Sequence, residues 1–323
     1  MTLRAHFVGV VTLVVTALTA TLLFAAARPA VDLVGTSDLV SRPVVGTYLG
    51  ALPGGRAPPL LSTLPYSINM VMLCFAKDNN GDGIFTAFSS WTSIGSIAAD
   101  RANFLANTGT TRTYLISLGG AAAYGGIFRI KGVSVDKWIS NAYDSTTAII
   151  SQFGAQGAEM QFEGGTGDSN FKAAMDGLLL KLKTNGFVGA IGPFYGGTSA
   201  DYSHLNAANI DIVNMQMYAT NCGDERCLAT QTSQAIAQTP GGASKFVFGL
   251  CSAPGGASRR PSPMVGLTYL KNSLMAQGVA GMFSWDAEDD LTSNPPYCLE
   301  DVGGAILNKW AADADPSSCH LGA

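Results

Sequence analysis

The chain is short of charge and of histidine. Only 13% of its 323 residues are Asp, Glu, Lys or Arg, the formal net charge is -4, and histidine occurs three times. No lysine or arginine run is present, so the electrostatic footprint of a nucleic-acid binder is missing and no nucleic-acid partner is expected. His6, His204 and His320 are too scattered for a zinc site, and no CxxC occurs. The stretch GTYLGALPGG lacks GxGxxG spacing, and Gly164-Gly165-Thr166-Gly167 lacks the lysine and hydroxyl residue of a phosphate loop. Asp78-Asn79-Asn80-Gly81-Asp82-Gly83 matches the first half of a calcium loop, but Ser89 stands where the bidentate glutamate belongs, so a surface turn is the better reading. No metal and no cofactor are expected. Sugars, peptides and small molecules remain open as partners.

What the chain does have is apolar bulk, 47% of its residues. Arg4 and His6 precede an uncharged run from Phe7 to Ala27 that ends in Ala25-Ala26-Ala27, the pattern of a secretory signal peptide over residues 1–30. An uncleaved anchor is the alternative, since a run of this length can span a bilayer. Contact with a membrane is expected only in that case; otherwise the chain is expected to be secreted and monomeric. Six cysteines fit an oxidising compartment. Cys222 and Cys227 enclose only GDER, which favours a local disulfide. Cys298 and Cys319 could tie back a C-terminal tail at 314–323, while Cys74 and Cys251 fall in apolar strand patterns as buried thiols. Spacing alone leaves the connectivity open.

Beyond the leader, strand-like runs alternate with helix-like ones. Strands are predicted at 44–49, 68–76, 113–117, 158–162, 187–193, 210–217, 245–251 and 279–285. Helices are predicted at 91–109, 135–154, 169–186 and 262–278, several closing on glycine. Repeated strand-helix alternation over 42–313 predicts an α/β fold, a single-domain (β/α)8 TIM barrel, with a doubly wound sheet as the competitor. Function in such a barrel sits at the C-terminal strand ends. Those ends carry Tyr48, Ser117-Leu118-Gly119-Gly120, Gln161-Phe162-Glu163, Gln216-Met217-Tyr218 and Trp285-Asp286. Within GAEMQFE, period-two alternation puts Glu159, Gln161 and Glu163 on one face. Aromatic faces beside convergent polar groups suit a sugar site. The plainer alternatives are a satisfied internal polar layer and ordinary core aromatics.

These motifs resemble those of glycoside hydrolase family 18, in the plant class III chitinase and lysozyme branch. The SxGG of the third strand stands as Ser117-Leu118-Gly119-Gly120, and DGxDxDxE stands altered as Gln156-Gly157-Ala158-Glu159-Met160-Gln161-Phe162-Glu163. The sixth-strand QxY stands as Gln216-Met217-Tyr218. Weaker echoes are Tyr48, Gly249-Leu250-Cys251-Ser252-Ala253-Pro254, and Trp285 with Asp289-Asp290. The resemblance implies chitin or another N-acetylglucosamine-containing glycan as partner. It also implies a retaining mechanism in which the substrate's own N-acetyl group is the nucleophile. Glu163 would be the acid, Tyr218 would bind the acetamido group, and Trp285 would floor the reacting sugar. Tyr48, Ser117, Gly119, Gly120, Glu159 and Gln216 would complete the binding site. Gln161 replaces the aspartate that steadies the positive oxazolinium, so activity is expected to be impaired. The alternative is a silent glycan-binding or storage protein on the same barrel.

Overall fold

The computed structural model describes residues 40–50, 57–220, 222–252, 262–308 and 315–319. The predicted leader, along with Ala253 and Pro254, lies outside the described residues. Eight parallel strands close into a barrel in chain order, β8 pairing back onto β1. They are β1 (Val44–Leu49), β2 (Met70–Ala76), β3 (Thr113–Gly120), β4 (Gly157–Phe162), β5 (Val188–Ile191), β6 (Ile212–Met215), β7 (Phe246–Cys251) and β8 (Gly281–Trp285). The predicted (β/α)8 architecture is therefore the observed one.

The ends differ from the sequence reading for local reasons. β3 runs three residues past Ser117 because Gly119 takes φ 101°, and a Cβ there would lie 2.6 Å from the Gln161 carbonyl oxygen. β6 stops at Met215, and Gln216-Met217-Tyr218 leave the strand in a tight 3-10 turn, so the sixth-strand motif sits just above the sheet. β5 keeps only four of the seven residues predicted for it.

Helices cover the barrel: α1 (Ile97–Thr108), α2 (Val135–Phe153), α3 (Phe171–Thr184), the short α4 (Ser199–Tyr202), α5 (Glu225–Ala237), α6 (Pro263–Tyr269), the short α7 (Ala287–Asp290) and α8 (Cys298–Leu307). Capping sets several of their limits. Ser96, Ser134, Asp224 and Ser262 accept a first-turn N–H through their side chains, and Gly109 and Gly154 close α1 and α2 in the left-handed conformation. The Ser96 cap explains why α1 begins at Ile97 rather than Trp91.

Two apolar layers result. Val71, Ile116, Met160, Val213 and Phe248 face the helices, while Met70, Met72, Leu115, Val188, Ile212 and Phe283 fill the lumen. At the lower rim the buried Arg112 holds Asp100 through two bonds of 3.1 Å and donates to the carbonyls of Ile68 and Pro65. Cys222–Cys227 and Cys298–Cys319 are disulfide-bonded, and Cys74 and Cys251 are buried thiols. The Asp78 carboxylate accepts the backbone N–H groups of Asn80, Gly81, Asp82 and Gly83 and the Trp138 indole, so this stretch is a surface turn tied by its own first residue. Among the described residues no helix is long and apolar enough to cross a membrane.

Candidate active site

Strand alternation builds the site. On β4 and just past its end, Glu159, Gln161 and Glu163 point into the lumen at rising height; the first two are fully buried and only Glu163 is partly exposed. Gly192, after β5, makes room for the row. A Cβ there would lie 2.9 Å from Gln161 Cγ and 3.0 Å from Glu159 Oε1.

Glu159 is the most tightly held of the three. Its Oε1 accepts the Tyr48 hydroxyl at 2.7 Å and the Asn214 amide at 2.6 Å, and its Oε2 accepts Ser117 Oγ at 2.6 Å. Burial pushes its pKa above the ordinary carboxylate value, while the bonds from Ser117, Asn214 and Tyr48 pull it back. Tyr48 and Ser117, expected to touch a ligand at the rim, lie fully buried one layer below it. Their contact is with Glu159.

Gln161 faces both ways. Its Nε2 donates to Glu163 Oε1 at 3.1 Å, and its Oε1 lies 3.4 Å from Ser117 Oγ. Burial raises the pKa of Glu163, against smaller lowering by hydrogen bonds from Gln161 and Gln216. Gln216 also donates to the Gly192 carbonyl at 3.1 Å and accepts the Tyr218 hydroxyl at 2.8 Å, which aims the Tyr218 ring along the mouth. Backbone N–H of Glu163 donates to the Gly120 carbonyl at 3.3 Å, so the second glycine of SLGG anchors the acid's main chain.

Trp285 is half-buried at the centre of an aromatic bed. Its ring lies 5.1 Å from Tyr48, 6.0 Å from Phe75 at an interplanar angle of 19°, and 6.4 Å from Tyr218. The structure thus gathers Tyr48, Ser117, Gly119, Gly120, Glu159, Gln161, Glu163, Gln216, Tyr218 and Trp285 at one end of the barrel, with Tyr48, Ser117 and Glu159 beneath the mouth.

Sequence reading missed Asn214 and Phe75. Asn214 was within reach of it, since Ile212, Asn214 and Gln216 share one face by the same alternation that singled out Glu159. It named Asp286 and Asp290 but missed that they belong, with Glu288 and Glu300, to a second set of buried acids behind β8. Asp289-Asp290, read as an echo beside Trp285, belong to α7; Asp290 points away into this set, facing Glu300. Ser284 Oγ donates to Glu300 Oε1 and sits 3.0 Å from Thr47 Oγ1.

Chemically, the mouth offers a partly exposed acid whose pKa burial raises, a neutral amide beside it, a phenol, and an apolar floor. No protein-family model matches the chain. Chitinase 1 of Tulipa saxatilis subsp. bakeri is 30% identical over 206 residues, which cover 59% of this chain and 62% of that protein. The matched part is thus under two thirds of that relative's length. Among solved structures, the catalytic domain of a family GH18 chitinase from the fern Peteris ryukyuensis superposes with a TM-score of 0.69 at 22% identity, over 82% of this chain and 99% of that one. The family 18 chitinase from Crocus vernus does so with a TM-score of 0.64 at 21% identity, over 82% and 99%. What is shared with these two structures is the barrel.

Proposed function

From the premise that this chain is related to the plant chitinases of glycoside hydrolase family 18, we propose that it binds β-1,4-linked N-acetylglucosamine chains across the barrel mouth and cleaves them slowly, with Glu163 as the acid. The observation that carries this reading is the row that rises along β4, in which Glu163 alone reaches solvent and has its pKa raised by burial. Glu163 protonates the glycosidic oxygen as the bond to the anomeric carbon breaks. The substrate's acetamido oxygen closes on that carbon from the other face, giving an oxazolinium. Water, deprotonated by the Glu163 carboxylate, then opens the ring with retention. Tyr218 binds the acetamido group, and Trp285 carries the sugar's apolar face.

A silent glycan binder is the second reading, and Gln161 favours it. Its amide cannot ionise, and its N–H₂ is engaged by Glu163. Two disulfides fit the secreted location proposed with either reading. Release of chromophore from chitooligosaccharide glycosides separates the two. The parent is expected to show slow release and Glu163→Gln a loss of about 100-fold or more with binding retained. Equal release from both proteins would end the hydrolytic reading.

A further inference from the structure

Asn214 is wholly buried on β6, two strands round the barrel from β4, and its side chain is committed in one sense. Nδ2 donates to Glu159 Oε1 at 2.6 Å, and Oδ1 has no hydrogen-bond partner. Flipping the amide would set Oδ1 against a carboxylate oxygen, two acceptors face to face. The fold therefore tolerates a lone buried carbonyl to keep the N–H₂ on Glu159. An amide can only donate through nitrogen, so Oε1, which also takes the Tyr48 hydroxyl, is an acceptor at all times. The other oxygen, Oε2, faces Ser117 at 2.6 Å, and Ser117 lies 3.4 Å from Gln161 Oε1.

We propose that Asn214 is a positioning residue that keeps Glu159 ionised with Oε2 turned to Ser117, so that the deep carboxylate supplies the negative charge Gln161 cannot carry. When Glu159 takes up a proton, it goes on Oε2 and is donated to Ser117, whose own hydrogen turns to Gln161 Oε1. The polarity of the row is thus set from β6, a strand that does not itself pair with β4. The titratable groups around Glu159 are Tyr48 on β1, Cys74 on β2, Glu163 just beyond the end of its own strand and Tyr202 on α4. Burial pushes the tyrosines and the thiol upward, so they stay neutral where Glu159 titrates. The role in rate rests on the hydrolytic reading above; the role in ionisation does not.

Infrared titration of the carboxylic-acid stretch, assigned by its loss in Glu159→Gln, reads the ionisation directly. In the parent protein the Asn214 side-chain amide resonances are expected to move with the same midpoint as that band, a measurement that needs no variant of Asn214 to fold. In Asn214→Leu the midpoint is expected to rise by about one to two pH units, the worth of one hydrogen bond to a charged group. The acid limb of kcat/KM should move with it while the alkaline limb stays. A folded Asn214→Leu with an unmoved midpoint, or parent amide signals that ignore the Glu159 titration, would overturn the assignment. A protein that cleaves nothing but shows both infrared and resonance shifts would remove the hydrolytic reading and leave the Asn214 assignment standing.

Discussion

Replacing Gln161 by aspartate tests the site at the group that separates slow enzyme from silent binder. The side chain is fully buried, donates to Glu163 at 3.1 Å and backs onto Gly192. Gln161→Asp removes one methylene, worth about 0.8 kcal/mol of burial, and puts a carboxylate beneath the developing oxazolinium. A charge pair about 4 Å apart at an effective dielectric of about 20 is worth roughly 4 kcal/mol, and single preorganised electrostatic partners typically supply about 100- to 1000-fold in rate. Glu159 already contributes part of that field, so the expected gain in kcat on chitooligosaccharides is at least about tenfold. The new carboxylate also repels the Glu163 anion, so the alkaline limb of the pH profile should move upward. Gln161→Asn shortens the side chain equally without charge and is expected to show neither effect. If Gln161→Asp folds and binds glycan normally but turns over no faster, or if Gln161→Asn gains as much, the charge argument is wrong.

Trp285→Ala should weaken chitooligosaccharide binding by about 1.5–3 kcal/mol, roughly ten- to hundredfold in Kd, and remove the ligand-induced change in tryptophan fluorescence; unchanged affinity would dismiss the floor. Burial, with repulsion from Glu288 next in size, pushes Asp286 up to about 8, and burial also raises Glu288, Asp290 and Glu300. Raised acids hold more protons folded than unfolded, so their contribution is complete below about pH 4 and is lost as pH climbs through about 8. Melting temperature should therefore fall between pH 5 and pH 9, and less so in Glu300→Gln, whose amide can donate to Asp290 in place of the proton; a flat profile in the parent refutes this. Asp100→Ala strands the Arg112 guanidinium, which is 1% exposed, and should cost about 3–5 kcal/mol in denaturant unfolding.

The barrel was legible because its signals are local and repeated: apolar runs and closing glycines recur along the chain. The row Glu159-Gln161-Glu163 was legible for the same reason, since period two holds within one strand. Depth was not. Tyr48 and Ser117 look like rim residues in sequence, but the strands tilt about a closed lumen, and that geometry puts them under the mouth against Glu159. Pairings between strands that are not neighbours were hidden too. Asn214 lies 55 positions from Glu159, and nothing in either neighbourhood names the other. The acids behind β8 escaped because α7 and α8 turn them inward, whereas an acidic run in sequence suggests a solvated surface.

Glu159 fastens three separate walls to one carboxylate: β1 through Tyr48, β3 through Ser117 and β6 through Asn214. In mechanical terms it is the hub of a spoked wheel set just under the opening. A closed ring of strands resists shear but can still be squeezed into an oval, and ties between strands that do not pair with each other oppose that. The length of the hub side chain then becomes the gauge of the opening. The glutamate reaches both β1 and β6, neither of which pairs with β4, and the extra methylene it has over an aspartate is part of that reach. The spacing of these walls is thereby held from below the mouth, by a carboxylate that solvent does not reach.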